Sequence, residues 1–450
     1  MAARFTRRTT LGTLTAAAGA TAACGQQPAE TQPGGSVQDL TGTRVEYWAS
    51  WAPNHPEEIA RLKVMENFST QNPYGIKVEP VLAGGASPVN MDKITAAMAA
   101  GTPPELVNTY NFHLADLFIQ GATVDVDAQL KGNAEWKRAR PGIYPNIANA
   151  LTWKGKLFAV PSHNSFFLMY YQPEALRRVG LAPPPRTWGW DAFADYLKAA
   201  ARPAEGIHGY NSSWAYEYWG MFLLNNGATI LSKDGTKYQL NSPESLQSAE
   251  WELSLVKAGL QKAHDGSPSG GYAELLPEAK VVFQLAVPNR VRRWLPQGLR
   301  PGVDFGTCFY PLGPKNTSRT NVSHGTAYGF AAFKDKDDRK VQARLLAGLW
   351  AARVDSGLIF DRDGGVPPSY RHIVEAPDFQ AEAKKDAEFW PFYEALPNYI
   401  PDPNFPRFTY SKGPINEQLQ AIWAGTTSVK DGLNEAQKLA QPVLDEALRR

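Results

Sequence analysis

The sequence has little cysteine: two in 450 residues, Cys24 and Cys308. If Cys24 carries lipid, no intramolecular disulfide is possible, and the fold must rest on a large apolar core. Cys308, between Thr307 and Phe309, reads as a small buried hydrophobe, without the base or electropositive niche of a reactive thiol. Catalytic signatures are missing too: there is no Walker loop, no GxGxxG after a strand, no GxSxG elbow and no HExxH. The seven histidines are scattered, and Asp361-Arg362-Asp363-Gly364 lacks the later ligands and closing Glu of a calcium loop. These absences argue against an enzyme, a metal and a cofactor. Charge of one sign is also lacking, with 46 basic against 44 acidic residues and no polybasic run, so nucleic acid is not an expected partner.

The first two dozen residues do carry a signal. Thr6-Arg7-Arg8 precedes an uncharged stretch of small residues from Thr9 to Ala23 and then Cys24. This is the order of a basic region, a short apolar region and a small-residue cleavage zone. The arginine pair points to twin-arginine export. Thr21-Ala22-Ala23-Cys24 resembles a lipoprotein cleavage site. A bilayer span takes about 20 apolar residues, more than this Ala- and Thr-rich stretch offers. We expect residues 1–23 to be an export signal and 24–43, rich in Gln, Pro and Gly, to be a flexible tether anchored by lipid at Cys24. The protein is then exported, to the periplasm or the outer face of the cell membrane, and touches the membrane through that anchor only.

Beyond the tether, strands alternate with helices. Arg44–Ser50 and Ile76–Leu82 read as strands flanking a helix from Pro56 to Thr70, whose apolar residues Ile59, Leu62, Met65 and Phe68 keep helical spacing. A helix from Asn90 to Ala100 leads to a buried strand at Glu105–Thr109. Later strands are expected at Gly155–Pro161, Phe166–Tyr171, Val281–Leu285 and Val303–Tyr310, and the C-terminal third is helical. This alternation implies βαβ units and mostly parallel sheets flanked by helices, an α/β class.

The chain also holds 13 Trp and 18 Tyr, residues with an apolar face and a polar handle. Several aromatic and polar residues fall just after strand ends, where parallel sheets bind ligands: Trp48 and Trp51, then Tyr110 and Asn111. Here the chain resembles the extracellular solute-binding proteins of bacterial ABC importers, the family that includes maltose-binding and glycerol-3-phosphate-binding proteins. The segments that carry the resemblance are FSTQNPYGIKV (68–78), AGTPPELV (100–107), LFIQGATVDVD (117–127), KGKLFAVPSHNSFFLMYYQPEALRRVGL (154–181), GGVP (364–367) and SVKDGLNEA (428–436).

The resemblance implies two α/β lobes, the first at 44–163 plus 324–368 and the second at 164–323 plus 369–450. It implies three hinge crossings, near 162–165, 318–323 and 367–370, and a cleft that closes over ligand. It assigns ligand contact to Trp48, Trp51, Tyr110, Asn111, His163, Asn164, Trp214 (in GYNSSW), Asn289, Arg290, His324, Gly325, Tyr370 and Arg407. The expected partners are a small-molecule carbohydrate and the membrane subunits of an ABC permease, with the protein itself a monomer. Trp and Tyr pack on pyranose C–H faces while Asn, Arg and backbone amides take hydroxyls. Arg290 and Arg407 could instead neutralise a phosphate, and a surface or interlobe salt bridge is the alternative for either one. The alternatives are an exported glycan hydrolase, which needs two inward carboxylates about 5–9.5 Å apart, and a surface lectin.

Overall fold

The computed structural model describes residues 40–83, 91–212, 215–262 and 275–450. The export signal, Cys24, most of the tether and Trp214 therefore lie outside the described residues. The described strands, in chain order, are β1 (Arg44–Trp48), β2 (Lys77–Val81), β3 (Leu106–Tyr110), β4 (Thr152–Trp153), β5 (Lys156–Leu157), β6 (Val160–Phe166), β7 (Leu168–Tyr171), β8 (His208–Asn211), β9 (Val281–Ala286), β10 (Gly306–Cys308), β11 (His324–Ala332) and β12 (Ile400–Pro401). They form a six-stranded sheet, β12-β11-β3-β1-β2 with β6 also on β11, a four-stranded sheet, β10-β7-β9-β8, and a β4–β5 hairpin.

Helices flank both sheets, as the α/β reading requires, but strand direction is mixed rather than mostly parallel. β1 pairs in parallel with β2 and β3, β8 with β9, and β11 with β12. Apart from the β4–β5 hairpin, the antiparallel pairs among the described strands all involve β7 or β11. The reason is topological. Each of these two strands enters its sheet directly from the other sheet, so no right-handed βαβ crossover sets its direction.

The crossings account for much of the architecture. Phe167 is the one residue between β6 and β7, so the chain changes sheets there, and it returns between Cys308 and His324. Residues 162–165, expected at a crossing, lie inside β6 just before it. Segment 367–370 runs beside that strand: Asn164 N donates to Pro367 O at 2.9 Å and Ser369 N to Ser162 O at 3.2 Å. Gly325, opposite Phe166 in the register, is required by close approach. A Cβ there would stand 2.3 Å from Ser165 O and 2.4 Å from the Phe166 Cα.

Residues after 369 serve both sheets. β12 extends the first, while the helices Phe408–Trp423 and Val429–Arg449 share a core with the helix Tyr216–Asn225. The second sheet is buried through strands such as β9, whose run VVFQLA is enclosed at every position.

One buried charge in this region is unusual. Glu252, on the helix Pro243–Lys257, is 1% exposed. Its Oε1 accepts from Gln261 Nε2 at 3.1 Å and its Oε2 has no hydrogen-bond partner. Burial pushes the carboxyl from its ordinary 4.5 up to about 8, so it is protonated at neutral pH. Between about pH 4.5 and 8 the folded state holds a proton that the unfolded chain has released. This group therefore subtracts stability as pH rises through that window. Denaturant unfolding of Glu252→Gln is expected to show a gain over the parent protein that grows from pH 5 to pH 8. Parallel pH profiles for the two proteins would show that Glu252 does not titrate in this way.

Candidate functional site

A cavity of about 520 Å³ lies between the two sheets, within the usual range for small-molecule sites. From the first sheet come Trp51 after β1, His55 and Glu57 where the helix Pro56–Gln71 begins, Tyr110 and Phe112 after β3, and Gly325, Thr326 and Tyr328 along β11. Ser165 and Phe167 line it at the crossing. The second side supplies Glu217 and Tyr218 from the start of the helix Tyr216–Asn225, Asn289, Arg290 and Arg293 from around the helix Pro288–Arg292, and Lys412 from the helix Phe408–Trp423. Half of these positions lie at or after the carboxyl ends of strands β1, β3 and β9, where open α/β sheets hold ligands.

The floor is built by the helix Pro56–Gln71. Pro56 at its first position fixes the start, and Glu57 and Glu58 sit in the first turn, favoured by the helix dipole. Both are buried, as is Arg61 one turn on. Glu58 accepts from Tyr47 OH, Ser50 N and Trp51 N, each at 2.9 Å, which pins the loop carrying Trp51 to the helix.

Arg61 joins a closed ring of buried contacts. Its Nη2 donates to Glu57 Oε2 at 3.1 Å and its Nη1 to Asn108 Oδ1 at 3.3 Å. Asn108 Nδ2 donates to Ser162 Oγ at 2.9 Å, which lies 3.0 Å from His163 Nδ1, and His163 Nε2 faces Glu57 Oε2 at 3.6 Å. Burial alone would raise the Glu57 carboxyl, but the facing His163 and the Arg61 charge hold it down at about 2. Burial lowers His163 to about 4 against the pull of Glu57, so the imidazole is neutral. Glu57 also accepts from Asn289 Nδ2, a direct contact between the two sides of the cavity.

The walls are aromatic. Trp51 stacks on His55 with centroids 4.2 Å apart, Tyr110 meets Tyr328 at 5.0 Å edge-on, and Phe167 lies 4.7 Å from Tyr218. At the far end Lys412 pairs with Glu217, and its Nζ lies 5.4 Å from the Phe112 ring and 5.8 Å from those of Tyr216 and Phe408. Burial would lower the Lys412 pKa, but Glu217 and Asp402 raise it, and the ammonium stays charged.

Of the residues expected to contact ligand, Trp51, Tyr110, Asn289, Arg290 and Gly325 line this cavity. The others sit behind or away from it. Trp48 packs on the core of the first sheet with its Nε1 on Glu46. Asn111 donates to Asp402 O at 2.8 Å, and His163 belongs to the buried ring. Asn164 is enclosed, donating to Ser369 Oγ at 3.2 Å and accepting from Tyr399 OH at 2.8 Å. His324 holds Ile400 O through Nδ1 at 2.9 Å, with Nε2 3.3 Å from Asp402 Oδ1. Tyr370 is wholly buried. Arg407, in a left-handed conformation (φ 63°), donates from its backbone to Asp116 and from its guanidinium to Glu446. Trp214 is not among the described residues.

The cavity also holds residues that the sequence did not single out, chiefly His55, Glu57, Glu217, Tyr328, Arg293 and Lys412. Pro56 preceded by His55 and followed by two acids marks a helix start just after β1, a signal that could have identified His55 and Glu57. Lys412 and Glu217 are 195 residues apart and carry no such local mark.

Residues 57–351 match the family described as bacterial extracellular solute-binding protein. The sn-glycerol-3-phosphate-binding periplasmic proteins of Salmonella typhimurium (strain LT2) and Escherichia coli (strain K12) are 28% and 27% identical to 47% and 46% of this chain, which spans about half of their length, 49% and 48%. Among solved structures, the cyclic α-maltosyl-1,6-maltose binding protein of Arthrobacter globiformis superposes with a TM-score of 0.73 at 16% identity, over 90% of this chain and 99% of that one. The sugar-binding protein MalE of Xanthomonas citri gives 0.73 at 16%, over 90% and 98%. Identities this low speak for the two-lobed fold alone. The family match spans well over half of the chain: it belongs to the bacterial extracellular solute-binding proteins.

Proposed function

We propose that the protein is the substrate-binding component of an ABC importer, which captures a carbohydrate between its two lobes and presents it to a membrane permease. The observation that carries this reading is that the cavity takes side chains from both sides at once: Tyr110 and Tyr328 from the first, Glu217, Asn289 and Lys412 from the second. A ligand can favour closure only through contacts that open lobes cannot both make. Aromatic faces with a few fixed polar groups suit a sugar ring. The names of the relatives, which speak of maltose-type sugars and of glycerol 3-phosphate, bracket the ligand class. Export and lipid attachment at Cys24 complete the proposal, with the hinge at Phe167, the 309–323 return and the 367–370 segment. In this reading Trp51, Tyr110, Asn289, Arg290 and Gly325 touch ligand, whereas His163, Asn164, His324 and Tyr370 hold the hinge in shape.

Solution scattering tests the closure. A sugar that raises thermal stability, by about 2.7 kcal/mol at 100 times its Kd, is expected to reduce the radius of gyration as well. Stabilisation without compaction would leave capture standing and remove the hinge. The sugar should be recovered intact, and recovery of cleaved product would establish the hydrolase instead.

The aromatic wall gives a second measurement. Trp51 is partly exposed in the cavity, whereas Trp219 is 1% exposed in the core. Trp219→Ala is expected to cost roughly 3–5 kcal/mol of stability. Trp51→Ala should cost ligand affinity with little change in the unliganded melting temperature; a large fall in melting temperature with unchanged affinity would make Trp51 a packing residue. Cys24→Ser is expected to release the protein from the membrane fraction, and full retention there would refute the lipid anchor.

A further inference from the structure

The polar groups at one end of the cavity have a fixed donor–acceptor order. Asn289 is 6% exposed, and its Nδ2 donates to Glu57. Glu57 is ionised and can only accept. Its other oxygen is taken by Arg61. The Asn289 amide therefore cannot turn over without placing its oxygen against a carboxylate. Its Oδ1 has no hydrogen-bond partner.

Two more unpartnered atoms belong to cavity residues beside it, Trp51 Nε1 and His55 Nδ1. They are held to the same helix start, since Trp51 stacks on His55 and its backbone N–H donates to Glu58. Burial and the nearby arginines keep the His55 imidazole well below its usual range, near 4, against the pull of Glu57. The ring is therefore neutral and offers one donor and one acceptor.

A buried donor or acceptor left unmet carries its full desolvation cost, so three at one end mark where a polar part of the ligand belongs. A phosphate or carboxylate presents acceptors only. It would set lone pairs against Asn289 Oδ1, with the Glu57 charge behind. A hydroxyl-bearing face offers donors and acceptors together, and so suits an amide oxygen and an indole N–H alike. Arg290 and Arg293 border the cavity too, but both are already engaged in other interactions.

We propose that Trp51, His55 and Asn289 form a subsite for an uncharged, hydroxyl-bearing face of a sugar, and that Glu57 is the positioning residue that sets its polarity. This rests on the ligand-capture reading above and narrows it: the part of the ligand that meets Asn289 is a hydroxyl-bearing face and not a phosphate or carboxylate group.

Calorimetric titration of the full chain with maltose, trehalose, cellobiose, glucose 1-phosphate and sn-glycerol 3-phosphate tests it. At least one neutral disaccharide is expected to bind, and its affinity is the reference for the variants. Asn289→Leu should weaken that sugar by about tenfold or more, and Trp51→Phe, which keeps the stacking and loses the N–H, by several-fold. Glu57→Gln can donate to Asn289 Oδ1 and so let Nδ2 turn into the cavity. Its expected signature is a narrowed or inverted ratio of sugar to phosphate affinity, which loss of stability alone would not produce. If that variant does not fold, Asn289→Leu and Trp51→Phe carry the test. A sugar affinity unchanged in both Asn289→Leu and Trp51→Phe overturns the subsite and leaves ligand capture intact. Binding of none of the five compounds overturns the carbohydrate reading and the subsite with it.

Discussion

Everything around the cavity leans on the buried guanidinium of Arg61. Two carboxylates in the first turn of one helix, both out of contact with water, would repel each other and seek protons. Arg61, one turn later, supplies the opposite charge at 3.1 Å from Glu57 and 3.6 Å from Glu58. Breaking a buried pair of this kind by removing one partner typically costs 3–5 kcal/mol, because the remaining charge is stranded. Here the consequence reaches further than stability. Glu58 holds the loop of Trp51, Glu57 holds Asn289 across the cavity, and Asn108 and Ser162 extend the same contacts to β6 beside the crossing. One positive charge thus fixes a wall, an opposite wall and the strand between them.

This arrangement explains why so many polar residues can lie in the interior without cost in disorder. The chain Glu57–Arg61–Asn108–Ser162–His163 pairs donors with acceptors in sequence, and His163 Nε2 faces Glu57 at 3.6 Å to close it; such connected buried networks rigidify what they join. The second polar group, Lys412 with Glu217 near Asp402 and His324, is smaller and is framed by rings instead of amides. The cavity is therefore polar at two ends and aromatic between them, with Tyr110 in the middle, close enough to sense both Glu57 and Glu217.

Much of the fold was legible in the sequence. β1 begins at Arg44 and the first helix at Pro56, both as read from alternation and helical spacing. What stayed hidden has physical causes. β6, VPSHNSF, is buried at all seven positions, yet its central residues are polar because the ring and the 367–370 segment satisfy them, so no apolar pattern marks it. The helix Tyr216–Asn225 is buried at every position but Glu217 and so shows no amphipathic stripe. In the site, positions after strand ends brought out Trp51 and Tyr110. Trp48 shared that logic but is the last residue of β1 itself, where the pleat puts its ring on the face of Glu46, which its Nε1 contacts. Charged cavity residues such as Glu217 and Lys412 resemble a solvated helix face until three-dimensional pairing brings them together.

The single residue between β6 and β7 has a mechanical consequence. With Phe167 alone between the sheets, the link at that point has two soft dihedrals. In the proposed closure the sheets would therefore pivot about this point and could not slide past one another. Displacement in a pivot grows with distance from its axis. Ser165, Phe167 and Gly325 lie near it and would keep their mutual geometry at every opening angle, while Asn289 and Trp51, on opposite walls, would part. A ligand would meet the first group as a preformed template and the second only as the walls converge. The order in which it makes its contacts would then be set by leverage.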